Sequence, residues 1–141
     1  MTADPAAEIS PSKRPILLVE DDSLLRDVLR EHLHNLGFEA MEASNGREAL
    51  ALIAGSCAAS AGPALIITDI EMPEMNGLEL IRQLRRSGDT TPILVYSSLP
   101  DQGLPLGMGA NGSFSKALGL TELLNEVRTL MAASRSSEDQ T

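Results

Sequence analysis

The chain has 141 residues, with eleven Lys plus Arg against twenty Asp plus Glu, and a formal net charge of −9. That length suits one ordinary domain with a self-supporting core, and 43% hydrophobic with 22% charged residues excludes wholesale disorder. The acidic balance speaks against a nucleic-acid partner, and no run of about 18 apolar residues exists to enter a membrane.

Cys57 is the single cysteine, so an intramolecular disulfide is impossible and a reducing, cytoplasmic setting fits. Met1–Arg14 lacks an apolar stretch and does not read as a signal peptide. Residues 1–13 and 134–141 are polar and Ala/Pro/Ser-rich, and read as disordered tails around one domain over 14–133.

Ile16-Leu17-Leu18-Val19 is apolar on both faces, as in a fully buried strand, and closes on Glu20-Asp21-Asp22. Leu24, Leu25, Val28, Leu29, Leu33 and Leu36 recur at helical spacing, with Asp22 or Ser23 as cap and Gly37 past the end. Phe38–Ala43 alternates as a second strand. Asn45 caps a helix through Ala49, Leu50 and Ile53 that fades into the loop 54–62, where Cys57 reads as inert. Leu65-Ile66-Ile67-Thr68 is a third strand ending at Asp69, followed by a helix on Leu78, Leu80, Ile81 and Leu84. Ile93-Leu94-Val95-Tyr96 is the fourth strand, and a short fifth is expected over Ser113–Ser115. A last helix spans Leu120–Met131 with Thr121 as cap. Between the last two strands, Pro100, Gly103, Pro105, Gly107, Gly109 and Gly112 disfavour a helix, so a single turn or a loop is expected there.

Buried strands alternating with helices predict an α/β fold on a central parallel sheet. Such sheets place their sites at the carboxyl ends of the strands. Glu20-Asp21-Asp22, Asp69, Ser97-Ser98 and Lys116 are therefore expected on one edge. Carboxylates crowded there would repel one another, and a hard divalent cation such as Mg2+ relieves the conflict with oxygen ligands. A lysine supplies a compact positive charge for a phosphate, and Ser97 a rotatable donor. These are the parts required for phosphoryl transfer onto an aspartate, chemistry that rests on positioning and charge neutralisation.

Ile16–Asp22, Leu65–Gly77 with Pro73 and Gly77 in place, Pro92–Ser98 and Gly109–Lys116 resemble the receiver domain of two-component response regulators, the CheY-like family. The resemblance implies a flavodoxin-like, doubly wound five-stranded sheet of order 2-1-3-4-5, a family arrangement in which CheY itself is a standard example. It implies that Asp69 is the phosphoacceptor. Asp21, Asp69 and the Glu71 carbonyl would then bind Mg2+, with Glu20 acting through water. Ser97 and Lys116 would contact the phosphoryl group. The implied donor is a histidine kinase or histidine phosphotransfer protein. The implied output is contact with a downstream protein, by a stand-alone signalling domain that is not an enzyme and is a monomer or weak dimer.

Two family residues are replaced. Ser113 stands where a switch aromatic is usual, with Phe114 expected on the opposite face, and Ala117 follows Lys116 in place of proline. Asp69–Gly77 and Tyr96-Ser97-Ser98-Leu99 also resemble CheV-type chemotaxis receivers. Two other readings of the residues are a receiver-like scaffold that is never phosphorylated and a haloacid-dehalogenase-type phosphatase. Against the latter, the second acid after Asp69 is Glu71 and not the usual Asp. His32 and His34 point apart on their helix and read as surface residues; Met72 and Met75 read as packing.

Overall fold

A computed structural model of the chain describes residues 14–55, 62–98, 103–117 and 119–139, the last six by backbone alone. The expected N-terminal tail, Cys57 and Leu99–Gln102 lie outside the described residues. The elements, in chain order, are β1 (Ile16–Val19), α1 (Ser23–Asn35), β2 (Ala40–Ala43), α2 (Gly46–Gly55) and β3 (Leu65–Thr68). They continue with α3 (Gly77–Arg86), β4 (Ile93–Ser97), α4 (Gly103–Gly107), β5 (Gly112–Ser115) and α5 (Leu120–Asp139).

All four strand pairings are parallel, and the sheet order is β2-β1-β3-β4-β5. The apolar strands β1, β3 and β4 are buried along their whole length, as their two-sided apolar pattern requires. Alternate residues feed two cores. Ile16, Leu18, Leu65, Ile67, Leu94 and Tyr96 pack with Leu29 and Leu33 of α1 and Leu123, Val127 and Met131 of α5. Leu17, Val19, Ile66, Ile93 and Val95 pack with Ala49 of α2 and Leu80, Ile81 and Leu84 of α3, with Met72 and Met75 against them.

Helix starts follow side-chain chemistry. Asp22 caps α1, its Oδ1 accepting from the N–H groups of Leu24 at 3.0 Å and Leu25 at 3.3 Å. Asn45 Oδ1 accepts from Glu48 N–H at 2.9 Å, and Asn76 Oδ1 from Glu79 N–H at 2.9 Å. Asn76→Ala is expected to lower stability by about 1 kcal/mol, read as a reduced urea midpoint with an unchanged slope.

The fourth helix is five residues long. Pro105 sits in its first turn, where no intrahelical N–H is required, and is buried, while Leu104 and Leu106 are exposed. The last helix begins at Leu120 as read, but its cap and its end differ from the sequence reading. Leu123 N–H donates to the Gly119 carbonyl at 2.7 Å, so the helix opens at Gly119 and Thr121 lies inside the first turn. Its backbone continues to Asp139, past the Met131 at which the sequence reading ended it, because no Gly or Pro interrupts the run after Met131. Among the described residues no peptide bond is cis, so Lys116–Ala117 is trans. No helix there is long and apolar enough to cross a membrane.

Candidate functional site

The parallel ladders bring the carboxyl ends of β1, β3, β4 and β5 to one edge. β1, β3 and β5 supply their next residues, Glu20, Asp69 and Lys116, to that edge, and β4 its last, Ser97. Asp69 N–H donates to the Val19 carbonyl at 3.0 Å, which sets β3's exit beside β1. Lys116 N–H donates to the Ser97 carbonyl at 2.9 Å, which sets β5's exit beside β4.

Glu20, Asp21 and Asp69 gather there, with one carboxylate oxygen from each within 4.8 Å of the others. Asp21 is exposed, whereas Glu20 and Asp69 are 3% and 6% exposed. Asp69 Oδ1 accepts from Ile70 N–H at 2.6 Å, and Oδ2 lies 2.8 Å from Lys116 Nζ. Glu20 Oε2 accepts from Asp22 N–H at 3.0 Å, and Oε1 lies 3.1 Å from the same ammonium. Lys116 thus bridges the two buried acids. Arg26 closes the outer side, its Nη1 donating to the Glu20 carbonyl at 2.7 Å and its Nε to Glu42 Oε1 at 3.0 Å.

Burial pushes the Glu20 carboxyl above its ordinary value, and the neighbouring Asp69 charge adds to this against the opposing pull of Asp22 N–H and Lys116. At Lys116 burial disfavours the ammonium, but hydrogen bonds to Asp69 and Glu20 outweigh it and raise the pKa. The arrangement is an anion-rich group, two of its three acids buried and those two bridged by a single lysine. Its donors are hard oxygens close enough to share one ion, a set that suits Mg2+.

The other expected site residues are dispersed around this group. Ser97 is buried at the end of β4, with Ser115 as its cross-strand partner. Glu71, two residues past Asp69, has an exposed side chain. Ser113 lies opposite Val95, and Phe114 pairs with Tyr96 and packs on the α1/α5 core, the face away from Ser113. Sequence reasoning missed two features. One is the approach of the Tyr96 hydroxyl to the Lys116 carbonyl at 3.5 Å; the parity of β4 and β5 was its available signal. The other is the contact of Gly77 with the Asp69 backbone, which no periodicity announces.

The receiver domain of response regulators, as a family model, matches residues 16–128. Response regulator MprA of Mycolicibacterium vanbaalenii is 40% identical over 119 residues, covering 82% of this chain and 49% of that protein. A probable transcriptional regulatory protein of Picosynechococcus is 40% identical over 130 residues, covering 89% and 51%. The chain therefore spans about half the length of these curated relatives. Among solved structures, a Francisella response regulator receiver domain superposes with a TM-score of 0.78 at 24% identity, covering 86% of this chain and 98% of that one. The response regulator TrrA from Thermotoga maritima, in complex with Mg(2+)-BeF, gives 0.72 at 29% identity, covering 83% and 98%. The family match runs from the first residue of β1 into α5 and takes in the whole sheet with every residue gathered at its carboxyl edge. On that extent, the chain belongs to the response regulator receiver domains of two-component signal transduction.

Proposed function

We propose that this receiver accepts a phosphoryl group on Asp69 from the phosphohistidine of a histidine kinase or histidine phosphotransfer protein. A carboxylate oxygen of Asp69 forms the new bond to phosphorus as the phosphorus–nitrogen bond breaks, and the imidazole leaves with the electron pair. Asp21, Asp69 and the Glu71 carbonyl would hold Mg2+, with Glu20 acting through water. When bound, the ion supplies positive charge that offsets the crowded oxygens. The observation that carries the reading is the Lys116 ammonium at 2.8 Å from Asp69, inside an acidic group that shares its oxygens within 4.8 Å.

Each side chain has a task in this reading. Ile70 N–H and Lys116 orient the Asp69 carboxylate through one oxygen each. Lys116 then pairs with the incoming phosphoryl oxygens, and the Ser97 hydroxyl donates to them. The acceptor gains about −1.5 to −2 of charge, and this charge biases the receiver between two surface states by its differential interaction with them. With Ser113 in the switch position, no ring rotates there, so the shift runs by another route. Hydrolysis of the acyl phosphate returns the domain to rest.

The reading takes the receiver to act in the cytoplasm, with its output carried by contact with a downstream protein and not by its own acidic surface on nucleic acid. Resemblance to CheV-type receivers at Asp69–Gly77 and Tyr96–Leu99 supports an output in chemotaxis or motility. Incubation with acetyl phosphate and Mg2+, followed by intact mass, tests the reading. One phosphoryl adduct is expected, lost in Asp69→Asn and absent when Mg2+ is chelated. No adduct from acetyl phosphate, nor from a phosphohistidine donor, would leave the scaffold reading in its place. Rapid turnover of added phosphate esters would favour the phosphatase.

A further inference from the structure

We infer that Tyr96 is a positioning residue for phosphoryl transfer, its phenol tethering the backbone of Lys116 and so holding the ammonium at Asp69. The inference rests on the reading of Asp69 as phosphoacceptor. Two consecutive residues of β4 reach the Lys116 backbone, one at its N–H and the other at its carbonyl. The Ser97 carbonyl accepts from Lys116 N–H at 2.9 Å, and the Tyr96 hydroxyl faces the Lys116 carbonyl at 3.5 Å.

The sheet ladder ends at that N–H, so the carbonyl beyond it needs another partner. Ala117 leaves the next φ unrestrained, and the turn is tied instead by polar contacts. Ala117 N–H donates to Ser115 Oγ at 3.1 Å, and Gly119 N–H donates to the Ser115 carbonyl at 2.6 Å. Tyr96 adds the contact at Lys116 itself. Its ring is only 5% exposed, pairs with Phe114 across the strands and packs on the α1/α5 core. A ring packed in this core delivers its hydroxyl to one place.

A lysine side chain gives up considerable rotamer freedom when its ammonium is held, and fixing its backbone reduces the remaining search. Ordinary O–H···O bonds lie near ~2.8 Å, so the observed contact is slack. It can shorten as Lys116 is drawn toward a phosphoryl oxygen beyond Asp69. Burial keeps the phenol above its ordinary pKa, so it remains a neutral donor.

The test compares wild type, Tyr96→Phe and Asp69→Asn, each incubated with acetyl phosphate at saturating Mg2+ and followed by intact mass. Tyr96→Phe keeps the ring and its packing and is expected to be phosphorylated roughly fivefold more slowly, the effect of one hydrogen bond. Its Mg2+ half-saturation and unfolding midpoint should stay near wild type, which a merely structural role would not predict alongside a slower rate. The chain holds one tyrosine and no tryptophan, so tyrosine emission reports Tyr96 alone. That emission is expected to change on phosphorylation of wild type and to stay constant in Asp69→Asn. A wild-type rate in Tyr96→Phe, or constant emission during wild-type phosphorylation, overturns the tether while leaving the phosphoacceptor reading standing. Failure of wild type to take phosphate from any donor removes both.

Discussion

Replacing Lys116 with methionine is expected to lower stability by about 3 kcal/mol at neutral pH without Mg2+, the usual result of stripping one partner from a buried ion pair. The ammonium lies 3.1 Å from Glu20 and 2.8 Å from Asp69, whose side chains are 3% and 7% exposed. Methionine preserves much of the volume and leaves two buried carboxylates facing each other. The sign of the pH dependence follows. Glu20 already has a raised pKa through burial, and losing Lys116 removes two opposing influences, so it rises further. An acid with a folded pKa above its unfolded value favours the native state below about 4.5 and loses that contribution as pH rises through the folded pKa. Lys116, itself raised, contributes stability at neutral pH that is lost only above about 10.5. The gap between wild type and variant should therefore be narrow in acid, widen toward neutrality and close again at high pH. Added Mg2+ should raise the melting temperature of the variant more than that of wild type, because a bound cation replaces the missing charge. Phosphorylation from acetyl phosphate should fall roughly a hundredfold, the scale for removing one charge-stabilising donor. Melting curves across pH, with and without Mg2+, check the first part. A pH-independent difference with equal Mg2+ responses would mean that Lys116 does not hold the acids.

The features legible in the chain were those with a local cause. Four-residue apolar runs at Ile16, Leu65 and Ile93 demanded burial on both faces, and burial on both faces demands a parallel sheet covered by helices. Strand ends then located Glu20, Asp21, Asp69, Ser97 and Lys116, because a parallel sheet sends every exit to one edge. The shortened α4 was readable from its glycines and prolines. Long-range choices were not readable. Nothing local shows that one ammonium serves both Glu20 and Asp69, or that the Tyr96 hydroxyl reaches over Lys116. Thr121 looked like a cap by residue type, but the tight turn at Gly119 starts the helix earlier. An added Cβ at Gly119 would meet the Ser115 carbonyl at 2.7 Å. The end of α5 was missed for the opposite reason: a polar run carries no apolar periodicity to mark a helix, yet without Gly or Pro nothing in it stops one.

Gly77→Ala is expected to be the most damaging single-methyl change in the domain. An added Cβ would overlap the Asp69 carbonyl oxygen and stand 3.0 Å from its carbon and 3.1 Å from Ile70 Cα. These are backbone atoms, and they cannot rotate aside. Gly77 N–H also donates to the Ile70 carbonyl at 2.8 Å, so α3 is docked by its first residue onto the segment that carries Asp69. Relief requires α3 to withdraw from its core contacts through Leu80, Ile81 and Leu84, or Asp69 to leave its place beside Lys116. The expected loss is about 3 kcal/mol, the upper range for overpacking, together with slowed phosphorylation, since about 1 Å of misplacement at a reacting group is costly. Two other glycines separate this cause from conformational freedom. Gly37 has a φ of +95° with nothing within 4 Å of an added Cβ, so Gly37→Ala should cost about 1 kcal/mol for backbone strain and leave phosphorylation intact. Gly55 ends α2 with nothing among the described residues within 4 Å of an added Cβ and no positive φ, so Gly55→Ala should be neutral or stabilising by under ~1 kcal/mol. Urea unfolding of the three variants should rank them in that order. If Gly77→Ala unfolded no more readily than Gly37→Ala, the close approach of α3 to Asp69 would not be what holds the acceptor in place.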